Sequence, residues 1–241
     1  MVNNITAIIP ARGGSKGVPR KNIKLLGNHP LITYSIIACK LSKNIDRIIV
    51  STEDEEIASI AENYGAEIPF MRPEKYSTDD SPDDGYLNHF FENIDVDEVA
   101  LIRPTTPLRN SKFMDKGIDL FFEKKNEISG LRSVNKTEES PYKLFQLKDG
   151  LCYGFFEHYH GVETYFNLPR QTFPQTYKAN GHIDIIKKET LRYGDAFGTK
   201  ICAHIGNPIA DIDSVEDFEY AEYQIKTKEI NLINKLGDTN E

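Results

Sequence analysis

The chain has 241 residues and carries 29 Lys and Arg against 37 Asp and Glu, a net charge of −8. That length buries a substantial core in one domain, and the acidic balance excludes general nucleic-acid binding. Three widely spaced cysteines, Cys39, Cys152 and Cys202, suggest neither a zinc site nor a disulfide framework. They read as small buried hydrophobes in a reducing compartment. No charged-then-apolar leader and no run of about 18 apolar residues is present, so a cytoplasmic protein with no membrane partner is expected.

Residues 5–9 are apolar and read as a short buried strand that Pro10 ends. The loop behind it holds Gly13, Gly14 and Gly17 among four cations, Arg12, Lys16, Arg20 and Lys21. Glycines let a backbone turn tightly and bring its N–H groups close to a ligand. Successive N–H groups in such a loop form an anion-binding concavity, and the cations add charge to it. A strand running into a basic, glycine-rich loop is the expected shape of a phosphate cradle in an α/β sheet. It is not a Walker A loop, because no Gly-Lys-Ser/Thr follows at the required spacing. In an acidic chain this local basic cluster is the most informative stretch.

Residues 30–41 show the helical spacing of a buried face, and 45–50 form a β-branched strand. Ser51-Thr52 before Glu53-Asp54-Glu55 reads as a cap followed by acids, opening a helix to about residue 64 that Gly65 closes. A third strand is expected at 66–70, then a polar loop over 71–84 and a helix at 84–93. Strands follow at 98–102 and 127–133, with a helix at 111–124 between them. Asp149-Gly150 suits a tight turn between strands at 144–147 and 151–155. Residues 140–180 break the α/β alternation and are rich in aromatics, so they read as an excursion from the main sheet. Asn180-Gly181 reads as a turn before a strand at 182–187, and a last short strand falls at 201–205. Ser214 caps a final helix to about residue 228, and residues 231–241 are polar and read as frayed. The alternation implies parallel strands with right-handed crossovers. The expected fold is α/β: a three-layer α/β/α nucleotide-binding domain with a mostly parallel sheet. It spans 1–241 as one domain, with 140–180 as a small β-rich dimerisation excursion.

Ala11-Arg12-Gly13-Gly14-Ser15-Lys16-Gly17, followed by Lys21-Asn22, resembles the signature of the acylneuraminate cytidylyltransferases, the CMP-sialic acid synthetases. Members of that family transfer CMP from CTP to a 3-deoxy-ulosonic acid and release pyrophosphate. The similarity recurs at Val50-Ser51-Thr52, at 65–70 with Arg72-Pro73, and at Arg103-Pro104-Thr105-Thr106-Pro107-Leu108-Arg109. It implies that Arg12, Lys16 and Lys21 hold the triphosphate, within a nucleotide site that includes Ala11, Gly13, Gly14, Ser15 and Asn22. It also implies that Arg72 and Ser81 lie beside the cytosine, although Ser81 before Pro82 reads equally as a plain helix cap. On the acceptor side it points to Arg103, Lys143, Arg170 and Asn180, and it implies a homodimer whose 140–180 excursions lend residues to the neighbouring site.

Two departures from the family pattern fall on the acceptor side. Arg103 stands where the family carries a glutamine, and Gly181-His182-Ile183-Asp184 replaces more usual small and aromatic residues. Arginine is a charged fork for carboxylate or phosphate, or a partner in a structural ion pair. Asp211 and Asp213, at i and i+2 of an extended segment, point the same way and suit Mg²⁺ or Mn²⁺. The same Asp-x-Asp is the metal motif of the family. The resemblance thus implies a cytidylyltransferase that joins CTP and an acidic sugar, a sialic or related nonulosonic acid, for surface glycan synthesis. The rival readings are a nucleotidyltransferase for a phosphate- or phosphonate-bearing acceptor, a GTP- or UTP-using sugar nucleotidyltransferase, whose usual Leu-Ala-x-Gly loop is absent here, and a catalytically silent nucleotide-binding regulator.

Overall fold

The computed structural model describes residues 3–191 and 194–227. Strands β1 (Ile5–Pro10), β2 (Leu25–Leu26), β3 (His29–Pro30), β4 (Ile45–Ser51) and β5 (Glu98–Leu101) come first. They are followed by β6 (Gly130–Thr137), β7 (Phe145–Lys148), β8 (Leu151–Gly154), β9 (Thr176–Lys187) and β10 (Ile201–Ile205). Helices are α1 (Leu31–Lys40), α2 (Glu55–Asn63), α3 (Asp83–Asn93), α4 (Ser111–Lys124), α5 (Lys188–Leu191) and α6 (Val215–Thr227). Six strands make the main sheet in the order β10-β6-β9-β5-β1-β4. Only β9 runs antiparallel to its neighbours, β5 and β6, so the sheet is mostly parallel.

Alternate side chains of β1 go to opposite faces, as the pleat requires. Ala7 and Ile9 join Ile32, Ile36, Ile57, Ala61, Met114 and Phe121, which come from α1, α2 and α4. Ile8 faces the other way, into Leu87, Phe90 and Phe91 of α3 and Leu191 of α5. The sheet therefore carries helices on both faces and is a three-layer α/β/α unit. The chain leaves β1 for β4 on one side and later returns to β5 on the other. The crevice between the carboxyl ends of β1 and β5 is thus the point where the winding reverses, where open α/β sheets bind ligands.

Several expected elements differ in detail. The cap of α2 is Asp54, whose carboxylate accepts from the Ile57 N–H at 3.0 Å, while Ser51 still belongs to β4. Residues 66–70 are no strand: one parallel bridge, Ile49 to Glu67, is all they make with the sheet. Asn180-Gly181 is no turn but lies inside β9, where the β6–β9 register shifts between Arg132 and Val134. Gly181 has φ +70° there, and the displaced Ile183 N–H finds the Ser133 hydroxyl at 3.0 Å. Ser81 does not cap α3. Its hydroxyl donates to the Lys75 carbonyl at 3.0 Å. Ser214 does cap α6, accepting from the Asp217 N–H at 3.2 Å. Cys39 is buried, but Cys152 is exposed on β8. The expectations for residues 228 and 231–241 lie outside the described residues. Among those described, no helix is long and apolar enough to cross a membrane.

Candidate active site

A cleft of about 460 Å³ opens at the carboxyl ends of β1 and β5. Its walls include Arg12, Ser15, Lys16, Lys21 and Asn22 from the glycine-rich loop, and Arg72 and Ser81 from the segment before α3. Arg103 from the end of β5 and Asp213 from the segment before α6 complete it.

The loop is held by backbone contacts as much as by its cations. Ala11 donates its N–H to the Ser51 carbonyl at 3.0 Å, and Gly13 donates to Glu53 Oε1 at 2.7 Å. These two N–H groups are engaged in the fold, whereas those of Gly14, Ser15, Lys16 and Gly17 have no protein partner among the described residues. Gly17 is required by close approach: a Cβ there would sit 2.1 Å from the Asp213 carbonyl oxygen. The buried Asn22 amide donates to the Arg12 carbonyl at 2.8 Å and fixes the loop from beneath. Arg20 leaves the cleft, pairing with Asp54 and Glu56 at 2.5 Å each. Arg12 and Lys16 stay in it, both paired with Asp79.

Lys21 reaches across to the segment before α6, donating to the Ile212 carbonyl at 2.6 Å and approaching Asp213 Oδ1 at 3.3 Å. Ile212 is buried between the exposed Asp211 and Asp213, so both carboxylates are turned outward. Asp213 lines the cleft, and Asp211 Oδ1 lies 3.4 Å from the Thr106 hydroxyl. Among the described residues no three His, Cys, Asp or Glu side chains surround a common metal position. Two hard carboxylates beside a glycine-rich basic loop nevertheless fit Mg²⁺ or Mn²⁺, which takes one or two protein carboxylates and completes its shell with water and phosphate.

Arg72 is buried, donates to the Ser51 hydroxyl and carbonyl at 3.0 and 2.5 Å, and lies over the Tyr86 ring at 4.8 Å. Burial lowers its pKa from the usual arginine value, although Tyr86, Glu53 and Asp83 oppose the shift. Arg103 spends both terminal nitrogens on carboxylates, Nη1 to Asp184 at 2.8 Å and Nη2 to Asp83 at 2.6 Å. Burial works against that cation, but Tyr86, Asp184 and Asp83 outweigh it and raise its pKa.

Asn180 and the remaining two acceptor candidates do not join this cleft within one chain. Asn180 is buried in the β9 bulge, its amide 3.5 Å from the Asn207 carbonyl. Lys143 donates to the carbonyls of Phe166 and Leu168, and Arg170 pairs with Glu138 in the excursion.

Sequence reasoning missed four residues of the site. Asp79 and Asp83 belong to an acidic run, 79–84, whose opposition to the basic loop was legible as charge alone. Tyr86 gave no signal beyond an apolar helix face. Arg109 closes the 103–109 motif yet suggested no role. Fully buried, it donates to the carbonyls of Arg103, Gly181 and His182 and to the Ser35 hydroxyl at 2.6–3.0 Å. It thereby binds the end of β5 to the bulge in β9. Burial pulls its pKa down to about 10.

Comparison with known proteins shows the family. Residues 6–200 match the family model described as cytidylyltransferase. The chain is 32% identical over 225 residues to an N-acylneuraminate cytidylyltransferase of Escherichia coli O18:K1:H7, covering 92% of this chain and 52% of that protein. It therefore spans about half the length of that relative. It is 29% identical to a pseudaminic acid cytidylyltransferase of Campylobacter jejuni, covering 91% of this chain and 95% of that one. Among solved structures, a CMP:2-keto-3-deoxy-manno-octonic acid synthetase complexed with CTP superposes with a TM-score of 0.71. At 12% identity, over 93% of this chain and all of that one, it is evidence for the fold alone. With a family model spanning most of its length, the chain belongs to the cytidylyltransferase family.

Proposed function

We propose that this chain transfers CMP from CTP to an acidic sugar of the sialic or related nonulosonic acid class, releasing pyrophosphate. The observation that carries the reading is a single cleft that joins a glycine-rich basic loop to the carboxylate of Asp213, with the exposed Asp211 two residues before it. The names of the similar proteins place their acceptors in the same chemical class. An acceptor oxygen attacks the α-phosphorus of CTP, the bond from that phosphorus to the bridging oxygen breaks, and the electron pair leaves with pyrophosphate. The acceptor proton is lost to solvent. Phosphoryl-type transfer needs positioning and charge neutralisation more than covalent help.

Arg12, Lys16 and Lys21 hold the triphosphate, and the unengaged N–H groups of Gly14 and Ser15 face its oxygens. Ala11 and Gly13 shape the loop, while Asn22 fixes its base. Arg72 and Ser81 border the nucleoside. Asp211 and Asp213 would hold Mg²⁺ or Mn²⁺, which supplies charge neutralisation at the α-phosphate and leaving group. Arg103 borders the acceptor end, and Asn180, outside the cleft, supports the β9 bulge that Arg109 ties to Arg103. Lys143 and Arg170, remote from their own cleft, serve a partner's cleft in a homodimer, and the enzyme works in the cytoplasm. The phosphate- or phosphonate-acceptor reading drew on a free charge at Arg103, and both its terminal nitrogens are engaged. A pyrophosphate-release assay with CTP against nonulosonic acids, other sugar acids and sugar phosphates tests the proposal. Turnover with a nonulosonic acid is expected. Turnover only with sugar phosphates, or none with any acceptor, would overturn it.

A further inference from the structure

Both ion pairs at the mouth of the loop converge on one carboxylate. Asp79 Oδ1 lies 2.7 Å from Arg12 Nη2, and Asp79 Oδ2 lies 3.1 Å from Lys16 Nζ. All three residues line the cleft. One carboxylate with an oxygen on each of two cations occupies the position a phosphate would take on the same pair. The segment bearing Asp79 is tied within itself: the Thr78 and Ser81 hydroxyls are 2.7 Å apart, and the Ser81 N–H reaches the Thr78 carbonyl at 3.3 Å. Its base is packed closely, because a Cβ on Gly85 would sit 2.5 Å from the Tyr76 ring. Water reaches both pairs, the Lys16 side chain being 74% exposed and those of Arg12 and Asp79 31% each. Exposed pairs of this kind are weak and readily exchanged.

We propose that Asp79 is an internal competitor for the phosphate chain. It holds Arg12 and Lys16 side by side before CTP binds, yields them to CTP, and reclaims them as pyrophosphate leaves. This deepens, and rests on, the reading of the cleft as a CTP site. Asp79 touches no reacting atom in that reaction and is a positioning residue. Every anion that needs both cations is weakened by a common factor, whereas a ligand that needs neither, such as cytidine, is unaffected. The competition works against product trapping, since pyrophosphate would otherwise remain on the same two cations.

Titration calorimetry with CTP, sodium pyrophosphate and cytidine, each in excess Mg²⁺, tests the assignment on wild type and Asp79→Asn. Asp79→Asn is expected to tighten pyrophosphate and CTP by about three- to tenfold and to leave cytidine unchanged. Asp79→Glu, which keeps the charge, should stay near wild type. Asp80→Asn removes the same charge from an exposed neighbour without an ion pair among the described residues, and should leave pyrophosphate affinity near wild type. Unchanged or weaker pyrophosphate binding by Asp79→Asn would overturn the proposal, as would equal tightening by Asp80→Asn. A wild type that binds neither CTP nor pyrophosphate would overturn the nucleotide reading and the proposal with it.

Discussion

Arg103 Nη1 lies 2.8 Å from Asp184 Oδ2, so the two positions at which the chain departs from the family motifs are in direct contact. Asp184 is only 2% exposed, and its other oxygen has no hydrogen-bond partner. Arg103 is the nearer of two cations on Asp184 Oδ2, with Arg132 Nε at 3.6 Å, so removing the arginine leaves a buried carboxylate poorly paired. The geometry favours a brace over a free fork for the acceptor. Arg103→Gln should therefore cost about 2–3 kcal/mol of stability, a fall of roughly 4–12 °C in Tm for a chain of this size. Kinetic effects should fall on CTP and acceptor alike. Asp184→Asn combined with Arg103→Gln should recover part of the loss, with a coupling of about 1–2 kcal/mol in a double-mutant cycle. A rise in acceptor KM alone, at unchanged Tm, would return Arg103 to direct acceptor contact.

The alternation of apolar strands with amphipathic helices was legible because β1 and the later parts of β4 and β5 are buried and read as short apolar runs. The loop after β1 was legible because three glycines and four cations are concentrated in one short stretch of an acidic chain. What stayed hidden depends on tertiary pairing. The bulge at Asn180-Gly181 looks like a turn in one dimension, since a glycine at positive φ serves either purpose. The apolar character of residues 66–70 suggested a strand, but Glu67 has only one strand neighbour, at the sheet edge. The partners of Arg103 lie 20 residues before it and 81 after it, at separations no local pattern encodes.

Asp211→Asn should abolish most turnover while leaving Tm nearly unchanged. Its carboxylate is exposed, and its hydrogen-bond contact among the described residues, Thr106 at 3.4 Å, is long. Loss of turnover in EDTA and its return with Mg²⁺ or Mn²⁺ should accompany the wild type. A variant that turns over like wild type would show that these carboxylates hold no essential metal.

His182 predicts a pH dependence of stability. It is buried beside Phe113, with ring centroids 4.7 Å apart, and its Nδ1 has no hydrogen-bond partner. Burial, with Arg109 and His204 nearby, lowers its pKa from 6.5 to about 4. The unfolded chain therefore binds a proton between these values that the folded chain refuses. Stability from this site is complete above about pH 6.5 and declines as the pH falls toward 4, by about 3 kcal/mol in all. Tm measured from pH 7 to pH 4.5 should fall less steeply for His182→Gln than for wild type. Parallel slopes would mean that His182 is protonated in the fold.

The excursion carries the last prediction. Part of its aromatic content is internal: Tyr142 stacks on Phe173 at 4.9 Å, and Tyr165 is fully buried, its hydroxyl accepting from the Phe156 N–H at 2.9 Å. The rest faces outward. Leu147 is 77% and Leu151 59% exposed on the β7–β8 hairpin, and Phe145, Tyr153, Phe155 and Phe156 are exposed around it. An apolar group of that size is unusual on a monomer and marks an interface. Light scattering at micromolar concentration should give twice 27.4 kDa. Leu147→Asp with Leu151→Asp should shift the protein toward monomer without unfolding it, since both side chains are already in water. If Lys143 serves the partner's cleft, Lys143→Ala and Asp211→Asn should each be impaired alone yet complement when subunits are mixed. A mixed dimer then holds one cleft with both residues intact, so up to about a quarter of all clefts recover. A dimer without complementation would keep Lys143 on its own subunit, and a mass of 27.4 kDa would remove the interface altogether.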